Sequence, residues 1–179
     1  SLHNQNSKIK YDKNGHWAQQ GTVNSELLTQ LLSDQYFQVK APKSTGREYF
    51  HLTWLKQQLA LCSPLPSQDV QATLTVFTAT TIVNAIKQHQ IDNTKTVKIY
   101  LCGGGVHNQS LKSHINQQLK TKLEEYELLI TNQRGIDSDQ LEAIAFAWLA
   151  FAYDKKFLSS MSTVTGASKN CTLGNEYLP

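Results

Sequence analysis

Apolar residues recur at spacings of three and four in five parts of the chain, and each part predicts a helix. These parts are residues 24–33, 49–61, 67–90, 108–123 and 137–153. The third follows two prolines and is long enough to present one continuous apolar stripe. The last is apolar almost throughout, which predicts a helix buried on nearly every side.

Two short segments rich in β-branched and aromatic residues lie among these helices, at residues 97–102 and 126–131, and both predict strands. The resulting order is helix, strand, glycine loop, helix, strand, helix, which is typical of an α/β fold. We see no internal repeat and no Pro-, Gly- or Ser-rich linker. Residues 1–179 are therefore predicted to form a single domain, with a more polar beginning.

Composition narrows the class of protein. Hydrophobic residues make up 40% and charged residues 17%, which excludes collagen-like and strongly disordered chains. Seventeen basic and 14 acidic residues leave a net charge of +3 with no run of five or six like charges, which does not favour a nucleic-acid partner. The apolar stretch at 143–153 is too short to span a membrane. With no secretory signal pattern and three scattered cysteines, a cytoplasmic protein with reduced thiols is expected.

Three consecutive glycines, Gly103, Gly104 and Gly105, lie directly between a predicted strand and a predicted helix. Without Cβ atoms they let backbone amides approach a ligand, and the helix that follows offers unpaired N–H groups and a positive dipole end. The alternative is a tight turn that holds no ligand. The pattern does not match a dinucleotide fingerprint, because Asn108 takes the place of the third glycine.

Residues 43–48 bring together a lysine, two hydroxyls, a glycine, an arginine and a carboxylate. One interpretation is a polar loop that binds an anionic or hydroxylated ligand, with Arg47 paired to a carboxylate or phosphate. The other is a helix start, in which Thr45 is the capping residue and Glu48 completes a capping box.

Glu142 precedes eleven residues without charge, so we expect it at the rim of a cleft, where a carboxylate can hold sugar hydroxyls. A structural role at the helix start is the alternative, with Asp137 as the cap and Gln140 closing the box. The histidines and cysteines show no metal-ligand spacing, so no metal site is expected. Cys102 is interpreted as a buried strand thiol rather than a nucleophile.

Five segments carry a combined pattern, in one order, over most of residues 20–178. They read PKSTGREYF at 42–50, DVQATL at 69–74, CGGGVHNQSL at 102–111, GIDSDQLEAIAFAWLA at 135–150 and VTGAS at 164–168. Together they resemble the carboxy-terminal half of the anhydro-N-acetylmuramic acid kinase family.

This resemblance implies the second lobe of an actin/hexokinase-like, ribonuclease H-like kinase fold, with a mixed sheet and flanking helices. It implies a bacterial enzyme of peptidoglycan recycling that uses ATP and Mg²⁺ to convert 1,6-anhydro-N-acetylmuramic acid to N-acetylmuramic acid 6-phosphate. Gly103, Gly104, Gly105 and Asn108 would lie on the nucleotide side and Glu142 on the sugar side. The Thr45, Arg47 and Glu48 loop has no assigned role.

The family's phosphate-binding loop and the aspartate that serves as general base for water have no counterpart in this chain, and 157–161 replaces the usual Pro-Gly-Asn-rich stretch. Catalytic residues are therefore expected in an amino-terminal half that this chain lacks, and the chain alone is expected to be inactive. The alternative is a catalytically silent nucleotide-binding or interaction domain on the same fold. A homodimer is left open.

Overall fold

The computed structural model describes residues 11–89 and 95–177. Two strands, eight helices and three short 3-10 turns are assigned in these ranges. The strands are β1 (Val97–Leu101) and β2 (Tyr126–Ile130), and the turns are Lys13–Gly15, Gly104–His107 and Thr131–Arg134. The helices are α1 (His16–Gln19), α2 (Ser25–Leu32), α3 (Gln35–Gln38), α4 (Leu52–Leu59), α5 (Ser67–His89), α6 (Gln109–Lys122), α7 (Leu141–Asp154) and α8 (Ser162–Thr165).

The two strands are parallel neighbours, in a register that pairs Val97 with Tyr126 and Leu101 with Ile130. Helix α6 makes the crossover that a parallel pair requires. Both strands lie within one residue of their predicted bounds, and the α/β class is confirmed. The mixed sheet implied by the family resemblance is not seen in the described ranges, which contain the parallel pair alone.

The main core lies where α5 packs along α6 and both helices cover one face of the strands. Its buried residues come from both helices and the turn that follows α6. Gln118 Nε2 donates to Thr80 Oγ1 at 3.0 Å, and Lys122 Nζ donates to Asn84 Oδ1. From the first bond to the second, the bonded residue moves four positions forward in α5 and four positions forward in α6, so the two helices run in the same direction. The buried residues are Ala79, Val83, Ile115, Leu119 and Leu123.

Helix α5 carries threonines on its buried side, which calls for an explanation because hydroxyls are costly to bury without a partner. Thr73 Oγ1 donates to the carbonyl of Asp69 at 2.7 Å, and Thr75 Oγ1 donates to that of Gln71 at 2.9 Å. These bonds to the preceding turn satisfy the hydroxyls within the helix. The threonines therefore pack through their methyl groups.

A second core joins α2 and α4 to the first half of α5. Leu27, Leu31, Leu55 and Val70 are its buried residues. Asn24 caps α2 through a 2.8 Å bond from Leu27 N to Asn24 Oδ1. Asn24 N also donates to Thr73 Oγ1 at 2.9 Å, which joins the start of α2 to α5.

Two of the predicted helix starts are wrong. Helix α4 begins at Leu52, where His51 Nδ1 accepts from Trp54 N at 3.1 Å, so Thr45 and Glu48 form no capping box. Helix α7 begins at Leu141, and Gln140 before it makes no side-chain cap. Asp137 instead accepts from Asp139 N at 2.9 Å, so its carboxylate is engaged in the turn that precedes the helix.

The predicted burial of α7 is also wrong. Ala152 is its one buried residue, and Phe146 is 64% exposed and Trp148 52% exposed. No other described element covers these side chains. The sequence of α7 therefore has the composition of a buried helix, but the helix is exposed in this structure. Cys102 is exposed as well, because β1 ends one residue before it. In the described ranges no helix combines the length and hydrophobicity needed to cross a membrane.

Candidate functional site

The glycine loop lies at the carboxyl edge of the two strands. Because β1 and β2 are parallel, the segments that follow them leave from the same edge, and in open α/β sheets ligands bind outside this edge. A 2.8 Å hydrogen bond from Gly103 N to Ser138 O joins the two segments. The loop after β1 is thus fixed against the chain that leads into α7.

Gly103 has φ 71° and ψ −178°, a backbone conformation that is essentially limited to glycine. Val106 N then donates to Gly103 O at 3.0 Å, which closes the turn before α6. A Cβ placed on Gly103 or Gly104 would meet no atom within 4 Å. The turn needs glycine at 103, whereas at 104 the backbone faces open space. That arrangement fits the close approach of a nucleotide.

His107 and Asp139 form a pair beside this loop that we did not predict. His107 Nε2 lies 2.9 Å from Asp139 Oδ1, and both side chains are more than half exposed. The residues are 32 positions apart. The sequence gives one indication of this pair, which is that each residue follows a predicted strand. Because the two strands are parallel, the segments that follow them meet at the same edge of the sheet. Arg134, also after β2, donates from Nε to Tyr100 OH at 2.7 Å.

Asn108, which the resemblance places on the nucleotide side, caps α6 in this structure. Its Oδ1 accepts from Leu111 N at 2.9 Å. It also packs against Gly15, where an added Cβ would lie 2.3 Å from the same oxygen. Asn108 therefore sets the position of the α6 amino terminus directly behind the glycine loop, and its contact with a nucleotide stays a prediction.

Glu142 is exposed in the first turn of α7, four residues after Ser138. In the described part of the chain, no hydrogen bond or ion pair joins its carboxylate to another residue. Its role on the sugar side stays a prediction. The position is compatible with it, because Ser138 is bonded to the glycine loop and α7 begins close behind.

The loop at 43–48 lies elsewhere. Lys43 Nζ donates to Tyr36 O at 2.8 Å and lies 4.5 Å from the centre of the Tyr36 ring. Lys43 and Thr45 line a cleft of about 980 Å³. Arg47 and Glu48 are exposed and do not line it. Most of the remaining lining comes from α3, the second half of α5, and Thr163 and Val164 of α8.

Asp34 holds the chain around this loop together. Its carboxylate accepts from Trp54 Nε1 at 2.9 Å, from Tyr49 OH at 2.8 Å and from Tyr36 N at 2.9 Å. Burial, the largest single influence, raises the pKa of Asp34, but these three bonds together outweigh it and leave the pKa below its usual value. The hydrogen bond to Asp34 in turn raises the pKa of Tyr49.

The two regions lie toward opposite ends of α5. Thr22 N donates to Asp69 Oδ1 at 2.8 Å near the start of α5, and the preceding segment packs against Asn108 behind the glycine loop. The cleft beside Thr45 borders α5 from Phe77 to His89. At 1.5 Å per residue, Asp69 and Ala85 are about 24 Å apart along the helix. The loop at 43–48 and the glycine loop therefore do not form one site within this chain.

Residues 11–89 and 95–177 contain no group of three His, Cys, Asp or Glu side chains placed to hold a metal ion. A magnesium ion that accompanies a nucleotide needs few protein ligands, because phosphate oxygens and water supply most of its coordination. The glycine loop is therefore compatible with a nucleotide and its ion.

Fold and site thus define an α/β protein with an open glycine loop at the carboxyl edge of a parallel strand pair. The family model described as anhydro-N-acetylmuramic acid kinase matches residues 1–179, and the chain belongs to that family. An anhydro-N-acetylmuramic acid kinase of Colwellia psychrerythraea is 47% identical over 99% of the chain. Proteins of the same name from Photobacterium profundum and Vibrio cholerae are each 43% identical, over 97% and 94% of the chain.

The chain spans slightly less than half the length of these relatives: 46% of the Colwellia and Photobacterium proteins and 44% of the Vibrio protein. A site that needs the remaining half cannot be complete in this chain.

We predict that Asp34→Asn destabilises the chain at pH 7 but not in acid. The lowered pKa means that the ionised carboxylate stabilises the fold above the unfolded-state pKa of about 3.9, and that this stabilisation is lost as pH falls through the folded-state value. Because the carboxylate is partly solvated, we expect a loss of about 1 kcal/mol at pH 7.

Urea unfolding from pH 7 to pH 3 measures this effect, and the difference in stability between the two proteins should begin to shrink near the unfolded-state pKa of about 3.9 and continue to shrink as pH falls through the lower folded-state pKa. Asp154→Asn is the matched control, because Asp154 is exposed and pairs only with Lys155 among described residues. A constant difference between Asp34→Asn and the parent chain across the pH range would contradict the assignment.

Proposed function

We propose that this chain is one half of an ATP-dependent kinase that converts 1,6-anhydro-N-acetylmuramic acid to N-acetylmuramic acid 6-phosphate in peptidoglycan recycling. The observation that carries the proposal is the open backbone at Gly104, at the carboxyl edge of the strands, in a chain of the anhydro-N-acetylmuramic acid kinase family. Gly103 through its conformation, and Asn108 through its cap on α6, hold that backbone in place.

In the proposed reaction water adds to C1 of the sugar and opens the 1,6-anhydro bridge. The released O6 takes the γ-phosphoryl group, and ADP leaves. ATP supplies the phosphoryl group, and Mg²⁺ offsets the charge of its phosphates. The residues of this chain contribute binding: the glycine loop lets the nucleotide approach the backbone, and the α6 amino terminus behind it favours negative charge. Glu142 holds a sugar hydroxyl or orients the water.

We further propose that the chain corresponds to the carboxy-terminal half of the enzyme, as its motifs indicate, and that it has no kinase activity alone. Phosphoryl transfer depends on positioning and on charge stabilisation, and a single half supplies part of each. The base for water and the loop for the transferred phosphate would come from the remaining half. Such an enzyme would act in the cytoplasm.

Gly104→Val, introduced into the full-length enzyme, should raise the KM for ATP about tenfold, which corresponds to about 1.4 kcal/mol, and leave the KM for the sugar unchanged. The added side chain enters open space in this structure, so folding should be preserved while the nucleotide is displaced. Steady-state kinetics with each substrate varied, together with a melting curve, make the measurement.

Gln117→Val is the control, since it places the same side chain on an exposed position of α6. If Gly104→Val leaves the KM for ATP at the parent value, the glycines serve only the turn. If it lowers the melting temperature and raises both KM values together, the effect is structural and the nucleotide assignment is wrong.

Glu142→Gln should lower turnover at saturating ATP by about tenfold or more in the full-length enzyme, with near-normal melting. The carboxylate has no partner in the described ranges that its loss would orphan, so its structural contribution should not exceed the 0.3 to 1 kcal/mol of a charge at a helix start. Glu127→Gln, at an exposed pair with Lys98, is the control. Turnover within about twofold of the parent, with reduced stability, would remove Glu142 from the site.

A further inference from the structure

We propose that the apolar surface of α7 is the docking surface for the remaining half of the kinase polypeptide, the part of the family's length that this chain does not contain. The inference rests on family membership and on the surface of α7, and it does not depend on the catalytic role proposed above. The proposed partner for this surface is therefore one defined protein segment, the remaining half of the kinase.

The side chains of α7 identify a helix that is built to be enclosed. Ile144, Trp148 and Phe151 follow one another at spacings of four and three and therefore share one face of the helix. They are 50%, 52% and 52% exposed. Phe146 lies on the opposite face and is 64% exposed. A helix that is apolar on all sides is stable in water only when protein surrounds it.

The patch continues past the end of the helix. Phe157, Leu158 and Met161 are exposed by 50%, 69% and 63%. Phe157 N donates to Ala152 O at 2.8 Å, so this segment is tied to the end of α7. Contiguous apolar surface of this kind on a monomer marks an interaction site.

A second copy of this chain is a poor occupant. In a symmetric dimer the same patch meets itself, so only one face of α7 would be covered. If the face with Trp148 were covered, Phe146 on the opposite face would stay in water, and the reverse would hold if Phe146 were covered. The missing half fits better for two reasons. It amounts to about 54% of the relatives' length, since the chain spans 46% of the Colwellia protein, and that is enough protein to enclose a helix. In a single polypeptide it also lies at high effective concentration.

The test is association in trans. The chain, carrying an affinity tag, is co-expressed with the untagged remainder of the Colwellia psychrerythraea relative, and the purified material is examined by gel and by light scattering. We expect a one-to-one complex. The variants Ile144→Asp with Trp148→Asp, and Phe146→Asp alone, should each reduce the captured partner at least tenfold.

Leu61→Asp is the matched control. Leu61 lies two residues after the end of α4 and is 67% exposed, and the same change there should leave capture unchanged. Because every substituted side chain is exposed, all variants of the isolated chain should retain the parent's circular dichroism and urea midpoint. Acrylamide quenching of Trp148 fluorescence, taken as the difference between the parent and Trp148→Phe, should fall in the complex.

Three results would overturn the proposal. One is the absence of co-purification with the parent chain. Another is an equal change in the amount of captured partner for the α7 variants and for the Leu61→Asp control. The third is a homodimer of the isolated chain that Trp148→Asp dissociates. None of these results depends on activity, so failure here is distinguishable from failure of the proposed reaction, which the kinetic variants test.

Discussion

The packing of α5 along α6 is the constraint on which the rest of this structure depends. Ala79 and Val83 from one helix meet Ile115 and Leu119 from the other, and together the helices cover one face of two strands. A two-stranded parallel sheet is not stable by itself in water and needs such a cover. Because α6 also joins β1 to β2, its position sets where the glycine loop begins. Asn108 caps the amino terminus of α6 and so fixes where the helix begins behind the loop.

Sequence patterns were reliable wherever local chemistry and burial within this chain agree. The strands at 97–101 and 126–130 are short and rich in β-branched and aromatic residues. Helix α5 begins directly after two prolines and ends close to its predicted end. The cap that Asn24 forms on α2 is likewise local, because its side chain acts on its own helix. The glycine loop could be placed between a strand and a helix for the same reason, since the conformation of Gly103 is a property of that turn.

Patterns failed wherever contacts from outside the segment decide the outcome. Thr45 and Glu48 have the spacing of a capping box, yet Asp34, bonded to Tyr49 and Trp54 from a distant part of the chain, helps to fold this segment as a loop. The pairing of His107 with Asp139 depends on two segments meeting at one sheet edge. For α7 the pattern is typical of an enclosed helix, but no other element in the described ranges encloses it.

We propose three functional surfaces on this chain: the glycine loop for the nucleotide, Glu142 for the sugar, and α7 for the other half of the enzyme. Hydrogen exchange in the full-length enzyme, with and without a non-hydrolysable ATP analogue, tests the central claim most directly. The account predicts slower exchange in peptides that cover residues 102–108 and little change in those that cover 43–50. Protection of 43–50 with none at 102–108 would contradict it.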